Sequence, residues 1–189
     1  GGQERAEELI TCIDSVVDDL ANRTSGAAVE DGPECYVGAI GYMGFHGLLS
    51  TEPAYPPFEL VDADNCAGGL GVEHAFIDKE KLLDMDPDIL FIDEGGIDLA
   101  MEDLEDPAFR TLTAVGKGEV YGVLPYNWYT SNFGTVLGNA YYVGTILYPE
   151  AFADMDPAQK LGEIFESLLG EDVSADMEDM FGGYMKLDV

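Results

Sequence analysis

The stretch Ile89-Leu90-Phe91-Ile92 is wholly apolar, with Pro87-Asp88 before it and Asp93-Glu94-Gly95-Gly96 after it. A run this short between turn signals is too brief for a helix and shows no alternation of apolar and polar residues. It fits a strand covered on both faces, which is the mark of a parallel sheet sandwiched between helices.

The rest of the chain supplies the partners. Ala6, Leu9, Ile10, Ile13, Val16, Val17 and Leu20 recur at helical spacing, so residues 4–22 read as a helix with one apolar stripe. Cys35 to Ile40 has a strand pattern and runs into the Gly-rich loop Gly41-Tyr42-Met43-Gly44-Phe45-His46-Gly47. Phe58-Glu59-Leu60-Val61 reads as a second short strand, and Asp64-Asn65 as a turn. A helix begins after Asp78, a plausible N-cap. Ile97 to Leu104 and Pro107 to Leu112 read as short helices, and Glu119 to Leu124 as a strand stopped by Pro125. Phe133 to Tyr148 is a long apolar helix capped by Ser131 or Asn132. Pro157 to Leu169 and Ser174 to Phe181 close the chain as helices. Strand, loop and helix alternate, so the expected fold is an α/β three-layer domain with a mostly parallel sheet flanked by helices.

Length and charge narrow the function. A chain of 189 residues suggests one domain. Against 38 Asp and Glu stand 8 Lys and Arg, a formal net charge of −30. Such a surface repels phosphate backbones and anionic headgroups, so a nucleic-acid partner is excluded. The acidic residues are spread through the chain and read as a solvated shell, suited to high salt or to an exposed location. No apolar run reaches the roughly 18 residues of a transmembrane helix. The start, Gly1-Gly2-Gln3-Glu4-Arg5, is not a signal peptide, and the natural protein is expected to extend upstream. Cys12, Cys35 and Cys66 have no CxxC spacing. They read as small buried hydrophobes, with a Cys35–Cys66 bridge left open.

In an open parallel sheet ligands gather beyond the carboxyl ends of the strands. Those ends carry Tyr42, Met43, Phe45 and His46, then Asp64 and Asn65, then Asp93 and Glu94, then Tyr126, Asn127, Trp128 and Tyr129. Aromatic rings with polar handles suit a flat or bulky ligand. Nothing near His46 or His74 resembles a nucleophile elbow, and no dinucleotide or phosphate loop is present. The spacing of His46, His74, Asp93 and Glu94 is not diagnostic of a metal, and Asp93-Glu94 also fits a strand-end turn that accepts backbone N–H groups. Catalysis and a resident cofactor are therefore not expected.

Several stretches carry a resemblance. FIDKEKLLDMDPDILFIDEGG (76–96) and GKGEVYGVLPYNWYTSNFGTVLGNAYYVGTILYP (116–149) resemble segments of the type III solute-binding proteins of ABC importers, which capture iron–siderophores, haem and cobalamin. YVGAIGYMGFHGLLSTEPAYPPFELVDADNCAGGLG (36–71) is similar to a branch associated with iron transport. The resemblance implies two α/β lobes joined by a long helix. Residues 3–25 would be the end of that interlobe connecting helix, and 26–189 the C-terminal ligand-binding lobe. It also implies an exported protein, held at the membrane by an upstream lipid or by its permease, with a metal chelate as ligand. The strand-end residues named above would face the cleft. Among the acidic residues, Glu102, Asp103 and Glu105 are candidates for permease docking. Arg5, Arg23 and Arg110 lie at no strand end, so either the other lobe supplies cations or the cargo is neutral or cationic. Two rival readings stand beside this one: a metal-centred enzyme or chelatase on a related fold, using His46, and an acidic protein-interaction module.

Overall fold

The structure, a computed structural model, describes residues 1–27, 32–127 and 129–189. The loop expected around Glu30-Asp31 and the candidate residue Trp128 lie outside the described residues.

The chain opens with α1 (Gly2–Thr24), followed by β1 (Glu34–Gly38), β2 (Ser50–Thr51), α2 (Pro56–Leu60), β3 (Asp64–Asn65) and β4 (Ala75–Phe76). Then come α3 (Lys79–Met85), β5 (Ile89–Asp93), α4 (Ile97–Leu104), α5 (Thr113–Lys117) and β6 (Val120–Val123). The last elements are α6 (Phe133–Leu147), α7 (Pro157–Leu169), α8 (Ser174–Phe181) and β7 (Met185–Lys186). The main sheet has five strands in the order β3-β1-β5-β6-β7. The contacts among β3, β1, β5 and β6 are parallel, and β7 closes the far edge antiparallel to β6.

The apolar run behaves as its composition demands. Every residue of β5 is buried. Phe91 and Val37 face a core shared with α1, α2 and α6, whereas Leu90, Ile92 and Tyr36 face one shared with α3, α4 and α5. The two faces of the pleat thus supply two cores, and the fold is the expected three-layer α/β domain.

Local chemistry explains the boundaries. Asp78 caps α3 by accepting from the Lys81 amide at 2.8 Å, and Asn132 caps α6 through the Thr135 amide. Asp156 accepts from the amides of Ala158 and Gln159 to start α7.

Four local expectations are corrected. Phe58 to Val61 is not a strand: Pro56 and Pro57 preset the first turn of α2, with Tyr55 extended before them. Phe58 and Val61 then reach the core from one helical face. Asp64-Asn65 is a two-residue edge strand rather than a turn. Phe109–Thr111 is a single 3₁₀ turn in place of the helix expected over 107–112. Of the three cysteines expected to be buried only Cys35 is, Cys12 and Cys66 being partly exposed; all three are free thiols, which closes the open question of a Cys35–Cys66 bridge. Cys66 donates its amide to the Cys35 carbonyl at 3.0 Å, yet the two residues pack against opposite cores.

The buried apolar residues of α1, Val16 and Leu20, lie in its second half, while Ile10 is exposed. Arg23 fastens that half by bonding Asp19 at 2.9 Å, Asp154 at 2.6 Å and the Ala151 carbonyl at 2.9 Å. Arg5 reaches the Ser167 and Leu168 carbonyls at the end of α7. There its charge also complements the helix dipole.

Candidate functional site

The carboxyl ends of β1, β5 and β6 lie side by side, because these strands are parallel neighbours. β1 ends abruptly because Ala39 turns left-handed, with φ of 63°. The chain then folds back: the Ala39 amide donates to the Gly47 carbonyl and the Ile40 amide to that of Ser50. The loop so formed holds Tyr42, Met43, Phe45 and His46. Asp103 of α4 braces it by accepting the Leu48 amide at 2.8 Å. Asn127 donates to the Gly41 carbonyl at 2.7 Å and ties the β6 loop to the β1 loop. Gly96 is required where these loops meet, since a Cβ there would press on the carbonyls of Ala39 and His46.

Beside this junction lies an apolar cavity of about 550 Å³. Phe45, Pro125 and Tyr126 form one side, and Met177, Met180 and Phe181 of α8 form the other. Tyr126 is buried and meets Tyr55 edge-on at 5.6 Å. Among the described residues, no Lys or Arg lines this cavity.

A second aromatic group flanks the β1 loop. Tyr42 stacks on His74 with ring centres 4.4 Å apart, and Phe76 presents an edge contact to Tyr42, His46 and His74. His46 Nε2 lies 2.8 Å from the Tyr42 carbonyl, and His74 Nε2 lies 2.7 Å from Ser50 Oγ. Burial, and then the His46 charge, lower the His74 pKa, so its imidazole is favoured in the neutral form. Among the described residues no group of three or more His, Cys, Asp or Glu could hold a metal ion.

The sequence candidates thus divide. Phe45 and Tyr126 line the cavity. Tyr42 and His46 belong to the aromatic group, and Asn127 serves as a strut between loops. Met43 and Tyr129 stand almost fully exposed, at 96% and 97%, and both take left-handed backbone. Holding non-glycine residues there is strain of the kind that collects at binding sites. Asp93 and Glu94 do not face the opening, because both are buried. Asp93 Oδ1 accepts the Gly95 amide at 2.9 Å. Glu94 Oε2 accepts the Gly183 amide at 3.1 Å, on the side of α8 and β7. Burial pushes the Asp93 carboxyl up to about 7 against the Gly95 N–H. Burial, with Asp93 and Glu178 adding to it against the Gly183 N–H, pushes Glu94 up to about 8. The Gly183 amide realises the strand-end alternative of a carboxylate accepting backbone N–H groups, at long range.

The α8 wall and the ring of Phe76 were not anticipated. Met177, Met180 and Phe181 recur at i, i+3, i+4, a signal that reads equally as an ordinary core stripe.

Chain comparisons bear on this geometry. No protein-family model matches the sequence, and no curated protein sequence matches it. Solved structures do match. A solute-binding protein of an ABC transporter from Sulfurospirillum deleyianum superposes with a TM-score of 0.71 at 18% identity, covering 95% of this chain and 56% of that one. The molybdate periplasmic binding protein MolA of Haemophilus influenzae, bound to molybdate, gives 0.69 at 17% identity, covering 88% and 51%. The periplasmic haem-binding protein HutB of Vibrio cholerae gives 0.56 at 16%, covering 78% and 58%. The class these define is that of ABC-transporter periplasmic binding proteins, and this chain has the fold of part of one. It spans about half the length of the structures it matches.

Proposed function

We propose that the chain is the C-terminal ligand-binding lobe of an extracytoplasmic capture protein, which delivers its cargo to the permease of an ABC importer. In this reading residues 3–25 form the interlobe connecting helix and 26–189 the lobe. The observation that carries it is the apolar cavity beyond the carboxyl end of β6, with Phe45 of the β1 loop in its lining, on a fold shared with such binding proteins. That is the position where an open α/β sheet takes ligands. The lobe binds and docks without chemistry of its own. Membrane attachment would come from the permease or an upstream lipid, as no helix of the described residues is long and apolar enough to cross a bilayer.

The cargo class is a metal chelate: haem, a cobamide or an iron–siderophore. The neighbours' names span molybdate and haem. Among the described residues the cavity is lined by rings and thioethers and by no Lys or Arg, which favours a chelate presenting a broad apolar face to it, such as the haem ring or a cobamide, over a siderophore presenting anionic groups. Tryptophan fluorescence tests the reading, since Trp128 is the single tryptophan and lies in the β6 loop sequence. Titration with haem, cobalamin and ferric chelates should give saturable quenching by one of them. The Trp128→Phe variant should lose the signal while keeping its fold. A folded protein that responds to none of the three would refute the chelate class.

A further inference from the structure

The cavity wall made by α8 rests on little. Its packing base is the small cluster of Leu124, Leu161 and Phe165. The strand that follows, β7, is short: it pairs with β6 at Gly122↔Met185 and Tyr121↔Lys186, and the Leu187 amide adds one bond to the Val120 carbonyl at 2.9 Å. Between α8 and β7 the chain turns through Gly182 and Gly183, both left-handed. Into that turn projects Glu94 from the end of β5. Its Oε2 accepts the Gly183 amide at 3.1 Å, and its Oε1 is buried without a partner. Room for the carboxyl exists because residue 122 is glycine: a Cβ there would sit 2.5 Å from Oε1.

We infer that Glu94 is a positioning residue for the cavity, tying the α8 wall to the carboxyl end of β5, and that ionisation of its carboxyl loosens the tie. The inference rests on the proposed binding role only for its consequence to a ligand.

Every group facing Glu94 opposes its charge or is neutral. Asp93 comes from β5, Glu178 from α8, Tyr142 from α6, and Tyr184 from the turn into β7. No cation among the described residues pairs with it; Lys186, the nearest by sequence on β7, is engaged by Glu119. Uncharged, the carboxyl costs little to bury and still accepts from Gly183. Charged, it is a desolvated anion beside two other carboxyls with a single N–H to offset it.

The sign follows from linkage. The docked form holds the Glu94 proton to about pH 8, whereas an undocked, hydrated Glu releases it near its ordinary value of 4.5. Docking is therefore strongest below about pH 4.5 and weakens as pH rises towards 8. Between pH 5 and pH 8 the undocking equilibrium constant should rise roughly 400-fold.

Hydrogen exchange of the 189-residue chain, without ligand, tests this, because protection reads rare opening directly. After correction for intrinsic rates, amides of α8 and Gly183 should lose roughly 400-fold protection from pH 5 to pH 8. They should be less protected than α6 at every pH, marking a local opening. Glu94→Gln keeps an acceptor for Gly183 and should make α8 protection independent of pH, while Glu178→Gln should retain most of the dependence. Equal protection of α8 and α6 would overturn the inference, as would a pH slope that persists in Glu94→Gln or a wild-type protein with no slope. No ligand enters the experiment, so its failure is separate from failure of the cargo assignment.

Discussion

Replacing Asn139 by alanine should disable the frame behind the cavity. Asn139 lies on α6 and is completely buried. Its Nδ2 donates to the Leu124 carbonyl at 2.8 Å and to the Tyr55 hydroxyl at 3.2 Å, and its Oδ1 accepts from the Tyr184 hydroxyl at 3.1 Å. One side chain therefore joins the end of β6, the residue that caps α2, and the turn that carries α8 into β7. Alanine removes all three bonds and strands their partners. A lost bond costs about 1 kcal/mol net, and an orphaned buried group about 1–3 kcal/mol. Tyr55 is fully buried and Tyr184 partly so, which leaves water no access to the Tyr55 hydroxyl and little to replace the lost network. Allowing for partial relaxation, the loss is about 3–5 kcal/mol, a large part of a typical domain's stability. Urea unfolding followed by circular dichroism measures it. With a slope of about 2 kcal/mol per molar, the midpoint should fall by about 1.5–2.5 M. Asparagine's isostere leucine should not restore it, because the three polar groups would remain unpaired. A midpoint shift below about 0.5 M would show that the network carries little energy and that the frame is held by apolar packing alone.

Two further tests follow from the charge and from the β1 loop. The unfolding temperature should rise between low salt and 1 M NaCl, because the −30 net charge repels itself and the Debye length falls to about 3 Å; differential scanning calorimetry showing no rise would refute a strained acidic shell. Asp103→Ala removes the brace on the Leu48 amide, and should cost about 1–2 kcal/mol in urea unfolding while making the 41–48 loop the first site of proteolytic cleavage. Retained stability and an uncut loop would show that the loop holds its own shape. The same geometry gives Asp103 a structural duty, which sets it apart from Glu102 and Glu105 as a docking candidate.

The framework was legible where the residues leave one solution. Ile89 to Ile92 admits only a strand covered on both sides, and Asp78 and Asn132 mark helix starts through their own side chains. Phe58 to Val61 misled because β-prone residues outweigh the two prolines that preset a helix turn. The two-residue strands β2, β3, β4 and β7 are too short for any period to show. At the site, the aromatic loops were legible as strand ends rich in Tyr and Phe. The inward turn of Asp93 and Glu94 was not, because a charged pair at a strand end normally faces water. The burial of Glu94 depends on absent side chains elsewhere, at Gly122 and Gly182, which no local pattern around residue 94 reveals. The place of α8 was hidden for the same reason: the Gly182-Gly183 turn decides it, and the Met177, Met180, Phe181 stripe states only that one face is covered.

The distribution of cations completes the physical picture of the cavity. With 8 Lys and Arg against 38 acidic residues, each cation has many potential partners. In the structure five of them bond where elements meet. Arg23 fastens α1 to the Asp154 segment, Arg5 caps α7, Lys79 joins Asp106, Lys117 joins Asp88 and Lys186 joins Glu119 across the β6–β7 edge. Exposed pairs of this kind contribute little stability one by one, but they place the positive charge away from the strand ends. An anion entering the cavity would lose its hydration and find rings and thioethers with no Lys or Arg among the described lining residues, so its transfer would be opposed. A neutral or cationic face loses less and gains contact with ring faces. If the cavity takes cargo as proposed, the acidic surface and the apolar lining would select in the same direction, towards a neutral or cationic face.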